Sequence, residues 1–312
     1  MVSENLPTAA ELAHFSLAAQ HPMTLSWCAE PERLANLAAE HAFDLQLATD
    51  LELAGQRAEF INVGPPAQAY LNRWVGIAPD LDAMLSIRFK GMDVGQPFVD
   101  VSVTSRPVTE GDFPALVGAA MREYGDFRPP LLRVWSAEGT FPGLKPDQRV
   151  LAAPLAELDG GEVAPELGLR PTTDLSNYAD AQAAYAAVDA DHPQHPGQAR
   201  LLSEEDLQDA VDAGTMFDVI WRGQWSGYAG TLLEAQIGLP AQVVQEMLLA
   251  PHARGHGLGA SLSGLLARHL PADGRVLSGT IHGENRGAVA AARRAGRHDI
   301  GGWWWVTTVN RG

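Results

Sequence analysis

The stretch "MLLAPHARGHGLGASLSGLL" (residues 247–266) decides the fold of the second half of this 312-residue chain. Its apolar start has the composition of a buried strand, and its apolar residues from Leu258 onward recur at helical spacing. Between them lies a loop that combines Arg254 with three glycines. A helix that starts after such a loop presents unpaired backbone N–H groups and the positive end of its dipole. The stretch therefore predicts a strand, a loop that binds an anion and a helix.

Two other nucleotide-binding loops fit these residues less well. A Walker loop needs a lysine after its last glycine, whereas Ala260 follows Gly259 here. Gly255, Gly257 and Ala260 match a permitted variant of the Rossmann fingerprint, G-x-G-x-x-A. The acidic residue that would bind the ribose is missing from the following strand, which reads "SGTI" at 278–281. A dinucleotide-dependent enzyme stays an alternative, and it predicts that NAD binds to the chain.

The first half of the chain contains a similar unit. Residues 100–124 align without a gap with residues 246–270. Each segment has an acid, an extended run, a polar loop with a glycine, and an apolar helix that contains an arginine near its end. A further strand follows each helix, at 131–137 and at 275–281. The pattern predicts an internal duplication.

The first copy lacks the residues of the anion-binding loop. Val108 aligns with Arg254, and Phe113 aligns with Gly259. A bulky ring followed by Pro114 at the start of the helix would block a pyrophosphate. We therefore expect anion binding in the second copy and a structural role for the first.

The second half predicts helices and strands in the order β-α-α-β-β-β-α-β-α-β. Asp174 is the predicted cap of the first helix and Ser203 that of the second. The predicted strands are 167–173, 216–221, 228–235, 242–250, 276–281 and 303–309, and the last helix is 286–295. Antiparallel strands followed by βα units indicate a mixed α and β class.

This second half resembles the GNAT superfamily, whose members transfer acyl groups from CoA thioesters to amines. The superfamily's loop, P-x-x-R-G-x-G-x-G/A after an apolar strand, reads "PHARGHGLG" at 251–259. A second feature is Asn285 followed by a helix of small residues that ends at Gly296. The resemblance extends from Leu167 to the C-terminus and implies a tandem two-domain form with a degenerate N-terminal copy.

The fold that the resemblance implies is α+β, with two tandem GNAT-like domains, each a mixed, mostly antiparallel sheet flanked by helices. The expected limits are 1–20 for an N-terminal extension, 21–166 for the degenerate copy and 167–312 for the acetyl-CoA-binding domain. The stretch 138–166 before the second copy is rich in proline and glycine, as a linker is. The degenerate copy would be structural or would wall the site of the acceptor.

The resemblance also implies a cofactor site and a reaction. Backbone N–H groups of the loop would hold the CoA pyrophosphate, and the end of the preceding strand would bind the pantetheine arm and the acetyl carbonyl. The implied cofactor-binding residues are Met247, Leu248, Leu249, Arg254, Gly255, His256, Gly257, Leu258, Gly259, Ala260 and Asn285. A primary amine would attack acetyl-CoA directly, without a metal ion.

For the catalytic base we expect Glu246, on the strand that leads to the loop, with Glu234 on the preceding strand as its rival. Many family members carry a tyrosine midway in the last helix as the acid for the leaving thiolate, and Ala292 stands there. Two alternatives for this acid stay open: Tyr228 or Tyr185 protonates the thiolate, or the thiolate leaves without a proton donor. The replacement also motivates an alternative function, a non-catalytic acyl-CoA-binding or interaction protein.

Composition limits the remaining classes of function. The formal net charge is −16 and the pI is about 4.9, which argues against a nucleic-acid partner. The single cysteine, Cys28, excludes a disulfide within the chain and a thiolate zinc site. The N-terminus lacks the pattern of a secretory signal, and no stretch is apolar enough for a membrane span. We expect a cytoplasmic protein, a monomer or a homodimer, that does not bind membranes.

Three further features of the sequence contain histidine or tryptophan and carry weaker predictions. His252 and His256 flank Arg254, but no further metal ligands accompany them. The motif "DHPQHP" at 191–196 is expected to be a surface loop that contacts the acceptor or only solvent. The side chains of residues 303–305, all tryptophan, alternate along a strand, so the first and third share a face. They are expected in the core, at a domain interface or in the wall of an acceptor pocket.

Overall fold

The structure, a computed structural model, describes residues 6–137, 141–158, 163–191, 200–271 and 273–308. Its contacts divide the chain into two compact units. Unit 1 contains Met1–Leu25, Ala29–Asp147 and Gly301–Gly312, and unit 2 contains Ser26–Cys28 and Gln148–Ile300. The domain limits 1–20, 21–166 and 167–312 stay a prediction, from which these units differ at residues 26–28, 148–166 and 301–312. The predicted loop at 191–196 lies outside the described residues, apart from Asp191, the last residue of a helix.

The strands and helices of the described residues have the following bounds. The strands are β1 (Arg73–Ala78), β2 (Leu81–Phe89), β3 (Pro97–Thr104), β4 (Leu131–Ser136), β5 (Lys145–Pro154), β6 (Leu167–Pro171), β7 (Met216–Trp221), β8 (Gln224–Gln236), β9 (Leu239–Met247), β10 (Val276–His282) and β11 (His298–Thr307). The helices are α1 (Ala9–Ala18), α2 (Glu30–Thr49), α3 (Leu51–Ile61), α4 (Phe113–Tyr124), α5 (Leu155–Leu158), α6 (Tyr178–Asp191), α7 (Glu204–Asp212), α8 (Leu258–His269) and α9 (Arg286–Arg294).

Each unit contains a mixed sheet with one parallel pair of strands. In unit 1 the order is β1-β2-β3-β4-β11, and β3 and β4 are the parallel pair. In unit 2 the order is β6-β7-β8-β9-β10-β5, and β9 and β10 are the parallel pair. A helix joins the parallel strands in both units, α4 in unit 1 and α8 in unit 2. The predicted α+β class, with two mostly antiparallel sheets flanked by helices, is confirmed.

The two halves of the chain exchange one strand. The antiparallel neighbour of β4 is β11, from the end of the chain, where Gly302 to Thr307 pair with Ser136 to Leu131. The antiparallel neighbour of β10 is β5, which directly follows the first copy in sequence. Each sheet is therefore completed by a strand from the opposite half, which the local pattern of hydrophobic residues does not indicate.

The last strand shows the predicted alternation of its tryptophans. Trp304 is buried in the core of unit 1, beside Phe141. Trp303 packs edge-on against Trp135, and Trp305 packs edge-on against Phe98. The first and third tryptophans thus share one face of the sheet and the second takes the other, as predicted.

The helix of each copy packs its apolar side on its own sheet. In unit 1, Tyr124 at the end of α4 is buried, and its hydroxyl donates to the carbonyl oxygens of Leu71 (2.8 Å) and Leu85 (2.9 Å). In unit 2, Leu258 and Leu262 of α8 belong to a core cluster with strand residues of the sheet. The core cluster of α4 also contains Val99 of β3 and Leu132 of β4. That of α8 includes Leu277 of β10, with Val244 of β9 packed against it, so both helices pack on the parallel strand pairs that precede and follow them.

The structure corrects one predicted helix start in unit 2. Ser203 caps α7 as predicted, since its Oγ accepts the N–H of Asp206. Asp174 does not cap α6, which begins later, at Tyr178. Its Oδ1 accepts the N–H of Ser176 (2.9 Å) instead, and this Asx turn competes with the helix for the same backbone group.

Unit 1 begins with α1 to α3, which the alignment of the two copies does not include. Thr8 and Glu11 form a capping box at the start of α1. Asp50 ends α2 and caps α3, because its Oδ1 accepts the N–H of Leu53 (2.9 Å). Across the described part of the chain, no helix combines the length and the apolar character that crossing a bilayer requires.

Candidate active site

The parallel strands β9 and β10 separate at their carboxyl ends. Their pairing runs from Ala241 to Val243 on β9 and ends with Ser278 on β10. Both strands continue for four residues, to Met247 and His282, without pairing with each other in the described structure. The strands therefore leave an opening at the carboxyl edge of the sheet, which is where sheets of this kind bind ligands.

A β-bulge on β9 turns one carboxylate away from α8. Gly230 pairs with Glu246 and Thr231 pairs with Val244, so Gln245 has no counterpart on β8. Val244 and Met247 pack against the core cluster that contains α8. Glu246 points to the opposite face, where it meets α6, because the extra residue shifts the alternation of side chains.

The side chain of Glu246 is buried, with 3% of its surface exposed. Its Oε1 accepts the hydroxyl of Tyr185 (2.6 Å) and the backbone N–H of Met247 (2.9 Å). Its Oε2 is also buried and has no hydrogen-bond partner among the described residues. Burial raises the pKa of Glu246 to about 7, although the two hydrogen bonds partly oppose this rise. The carboxyl group can therefore take up a proton near neutral pH.

The glycine loop adopts a conformation that depends on its glycines. Gly255 and Gly257 have φ angles of 78° and 77°, in the left-handed region that side chains rarely adopt. Gly257 is the N-cap of α8, and no side chain caps the helix there. The first N–H groups of α8 therefore have no partner within the helix and face the loop.

Gly259 brings α8 and α9 close together. A Cβ atom at this position would lie 3.1 Å from the Cβ of Ala291 on α9. Asn285 caps the same helix, since its Oδ1 accepts the N–H of Ala288 (3.1 Å). Its side-chain carbonyl is thus engaged in the helix cap, and the predicted contact of Asn285 with the CoA arm stays a prediction.

Arg254 braces the loop through backbone carbonyl groups. Its Nε donates to the carbonyl oxygen of Leu249 (2.8 Å), two residues after β9, and its Nη2 donates to that of Ala184 (2.8 Å), on α6. The positive charge also lowers the pKa of Tyr185, whose net shift is upward because of burial. The structure thus places this arginine between the loop, β9 and α6, and its contact with a phosphate stays a prediction.

The two histidines of the loop contact neighbouring strands. His252 Nε2 lies 3.0 Å from the hydroxyl oxygen of Ser226, and the ring of His256 lies 4.7 Å from that of Trp221. The loop is therefore anchored on both sides of Arg254 to residues of β7 and β8.

The other positions considered for catalysis are Glu234, Tyr228 and Ala292, and we compare their places with that of Glu246. Glu234 is exposed on β8 opposite Ala241, and lies four residues, roughly 13 Å of strand, beyond Gly230, the partner of Glu246. Tyr228 is buried on β8, and burial raises its pKa to about 12. Ala292 is buried on α9 and has no hydroxyl group to offer. The structure thus brings Tyr185 to Glu246 and does not bring Glu234 there.

One buried charge near the opening was missed by the sequence reasoning. Arg297 follows α9 and has 3% of its surface exposed. Its Nη2 lies 3.5 Å from the position that a Cβ of Gly279 would take on β10. The sequence "RRAGR" at 293–297 has the pattern of an exposed helix end, so no local signal indicates the burial of its last residue.

Part of this chain is similar in sequence to a known acetyltransferase. No family model matches this chain. A mycothiol acetyltransferase from Sanguibacter keddieii is 34% identical over 121 residues, which are 38% of this chain. The match spans 36% of the length of that protein.

Solved structures of acetyltransferases are similar to most of this chain at low sequence identity. An acetyltransferase of the GNAT family from Colwellia psychrerythraea covers 81% of this chain and 95% of its own, with 12% identity and a TM-score of 0.47. A tandem GNAT protein from the clavulanic acid biosynthesis pathway covers 85% of this chain and 97% of its own, with 14% identity and a TM-score of 0.42. With the loop, the separating strands and the sequence match to an acetyltransferase, the predicted resemblance of this chain to the GNAT superfamily is confirmed.

Proposed function

We propose that unit 2 is an acyl-CoA-dependent N-acyltransferase that transfers an acyl group, acetyl in the simplest case, to a primary amine. Glu246 carries this proposal. It is a buried carboxylate with a pKa of about 7 and an oxygen without a partner, and it lies at the end of β9. A base of this kind is useful next to a site that can hold the acyl donor.

The loop at the start of α8 supplies the expected site for the cofactor's phosphates. Positive φ angles at Gly255 and Gly257 turn the backbone toward the helix start, where N–H groups and the helix dipole favour an anion. Arg254 holds this loop against β9 and α6. A pyrophosphate bound here leaves the rest of CoA free to extend into the opening between β9 and β10.

The segment directly after β9 supplies a further donor for the cofactor. The N–H groups of Leu248 and Ala250 donate to β8, to the carbonyl oxygens of Tyr228 and Ser226 (2.8 Å each). Since successive N–H groups of an extended segment point to opposite sides, those of Met247 and Leu249 point away from β8. The Met247 N–H donates to Glu246 Oε1, so the Leu249 N–H is the group we expect to bind the pantetheine arm or the thioester oxygen, where negative charge develops during acyl transfer.

The proposed reaction uses the two oxygens of Glu246 differently. Tyr185 and the Met247 N–H hold Oε1, so Oε2 accepts the proton of the amine directly or through one water molecule. The amine nitrogen attacks the thioester carbon, the C–S bond breaks, and CoA leaves as the thiolate. Tyr228, protonated at neutral pH, is the candidate donor of a proton to the thiolate, since Ala292 has none.

Calorimetric titration with acetyl-CoA tests the cofactor site. We expect the protein to bind acetyl-CoA and the variant Gly257→Glu to lose binding, because a carboxylate would occupy the place of the phosphates. Ser203→Ala, at the cap of α7, is the matched control and should bind normally. If the unaltered protein binds no acyl-CoA, the proposal is wrong.

Buried Ala292 favours a second candidate, a protein that binds acyl-CoA without turnover. Release of the CoA thiol in the presence of a panel of amines separates the two functions. Turnover with any amine excludes the binding protein, whereas binding without thiol release across the panel favours it over the enzyme.

A further inference from the structure

Arg297 is a buried cation for which the described part of the chain offers no counter-charge. Among the described residues no carboxylate pairs with it, and no acceptor is found for its Nε. The nearest acid in sequence, Asp299, pairs with Arg149 (2.8 Å) and Arg293 (2.9 Å) instead. Burial lowers the pKa of Arg297 to about 10, so its guanidinium stays charged at neutral pH. A charge that is buried without a partner destabilises a folded protein.

The guanidinium lies at the closed end of the opening between β9 and β10. Gly279 is the first residue of β10 after the pairing with β9 ends. A Cβ placed there would lie 3.1 Å from the Cβ of Val244 on β9 and 3.5 Å from Nη2 of Arg297. A side chain at position 279 would therefore press on the guanidinium and on β9, so glycine leaves room for both.

The direction of a bound CoA thioester follows from the two ends of the opening. The start of α8, where the phosphates are expected, lies beyond the carboxyl end of β9. A thioester that extends from there along Leu249 and Met247 directs its acyl group toward Val244. Three residues of strand separate Met247 from Val244, about 10 Å. An extended four-carbon diacyl group reaches about 5 Å from the thioester carbon to its carboxylate oxygens, and a hydrogen bond to the guanidinium adds about 3 Å.

We propose that Arg297 binds the terminal carboxylate of the acyl group, so that the preferred donor is a CoA thioester of a dicarboxylic acid such as succinyl-CoA. The inference rests on the proposed function and names its donor more narrowly than acetyl-CoA. A guanidinium and a carboxylate form two parallel charge-assisted hydrogen bonds, which gives geometric selectivity as well as affinity. The carboxylate takes no part in the reaction: the amine still attacks the thioester carbon, and the CoA thiolate still leaves.

Calorimetric binding of succinyl-CoA, acetyl-CoA and CoA to one protein preparation tests the donor preference. We expect succinyl-CoA to bind about tenfold more tightly than acetyl-CoA, which corresponds to one net charge-assisted contact. In Arg297→Met the preference should vanish while acetyl-CoA still binds. Arg297→Lys should retain part of it, and Arg294→Gln, an exposed arginine on α9, should retain all of it.

The outcomes separate this inference from the proposed function. Binding of acetyl-CoA without a preference for succinyl-CoA, or a preference that survives Arg297→Met, overturns the inference and leaves the function intact. Binding of no thioester at all overturns the function.

Thermal unfolding of the ligand-free variants distinguishes a binding role from a structural one. An arginine kept for a ligand is uncompensated in the free protein, so Arg297→Met should unfold at the same or a higher temperature. Addition of succinyl-CoA should then raise the unfolding temperature of the unaltered protein more than that of the variant. A large loss of stability in ligand-free Arg297→Met would assign the side chain to packing and contradict the inference.

Discussion

At the scale of single residues, the account depends on why the pKa of Glu246 lies near neutral pH. Burial disfavours its charged form, and the hydrogen bonds from Tyr185 and Met247 favour that form. The balance of these opposing effects gives a pKa of about 7. The partner of Oε1 is a tyrosine whose own pKa is raised by burial, so it stays a donor throughout the physiological range.

The variant Tyr185→Phe tests this balance. Loss of the hydroxyl removes a hydrogen bond that lowers the pKa of Glu246, so this pKa should rise above about 7. The acidic limb of the pH profile of kcat/KM should then move to higher pH, which steady-state rates over a range of pH would show. An unchanged limb would mean that Tyr185 does not set the protonation of the base. Tyr178→Phe, on the same helix but bonded to the Leu202 carbonyl oxygen, serves as the control.

Stability measurements on Glu246→Gln test the same pKa without any substrate. The folded pKa of about 7 lies above the ordinary value of 4.5, so the favourable contribution of the protonated carboxyl is complete below the ordinary pKa. It is lost as the pH rises through the folded pKa. The variant cannot ionise, so its free energy of unfolding relative to the unaltered protein should increase between about pH 5 and about pH 8, by up to roughly 3 kcal/mol. A constant difference, measured by denaturant unfolding, would contradict a raised pKa.

At the scale of elements, α8 and α9 approach each other closely near the start of α8. Gly259 makes this approach possible, and its φ is not in the left-handed region, so space rather than backbone strain determines the need for glycine. The bulge at Gln245 acts at the same scale, because it aims Glu246 at α6 while its neighbours face α8.

A double-mutant cycle tests the contact between these helices. Gly259→Ala places a methyl group 3.1 Å from that of Ala291, so it should destabilise the protein by about 1 to 3 kcal/mol and weaken acyl-CoA binding. Ala291→Gly removes the opposing methyl group and should restore most of both losses in the double variant. Additive effects in thermal unfolding and calorimetry would show that the two positions do not interact.

Local patterns predicted most elements near the site and missed the features that depend on pairing. The apolar spacing after Gly257 predicts α8, and the Ser203 cap predicts α7, because both signals lie within one segment. Asp174 failed as a helix cap because its side chain bonds two residues ahead in a turn. The bulge at Gln245 depends on the register with β8, and the burial of Arg297 depends on distant packing, so neither has a local signal.

At the scale of the whole molecule, the exchanged strands link the folding of the two halves. Seven residues of β10, Val276 to His282, pair with β5, which belongs to the first half of the sequence. β11 in turn completes the sheet of unit 1. The boundary at residue 166, predicted from the duplication and the proline- and glycine-rich stretch before it, would therefore separate β10 from one of its two neighbours.

Fragments of the chain test the exchange. Residues 148–300 keep most of β5 with β10, so this fragment should unfold cooperatively in denaturant, as followed by circular dichroism. Residues 167–312 lack β5 and leave the edge of β10 unpaired, so they should be less stable or aggregate. Equal stability of the two fragments would contradict the strand order described above.

The central claim is that Glu246 is the base of an acyl transfer, and the pH dependence of amine-dependent CoA thiol release tests it most directly. The unaltered protein should show an acidic limb near pH 7, because the carboxyl must be deprotonated to act. Glu246→Gln should lower kcat/KM by about 10²- to 10⁴-fold and abolish the limb, while it still binds acyl-CoA. Glu234→Gln, exposed on β8, should change neither. A Glu246→Gln protein that retains the full rate and the same pH profile would contradict the account.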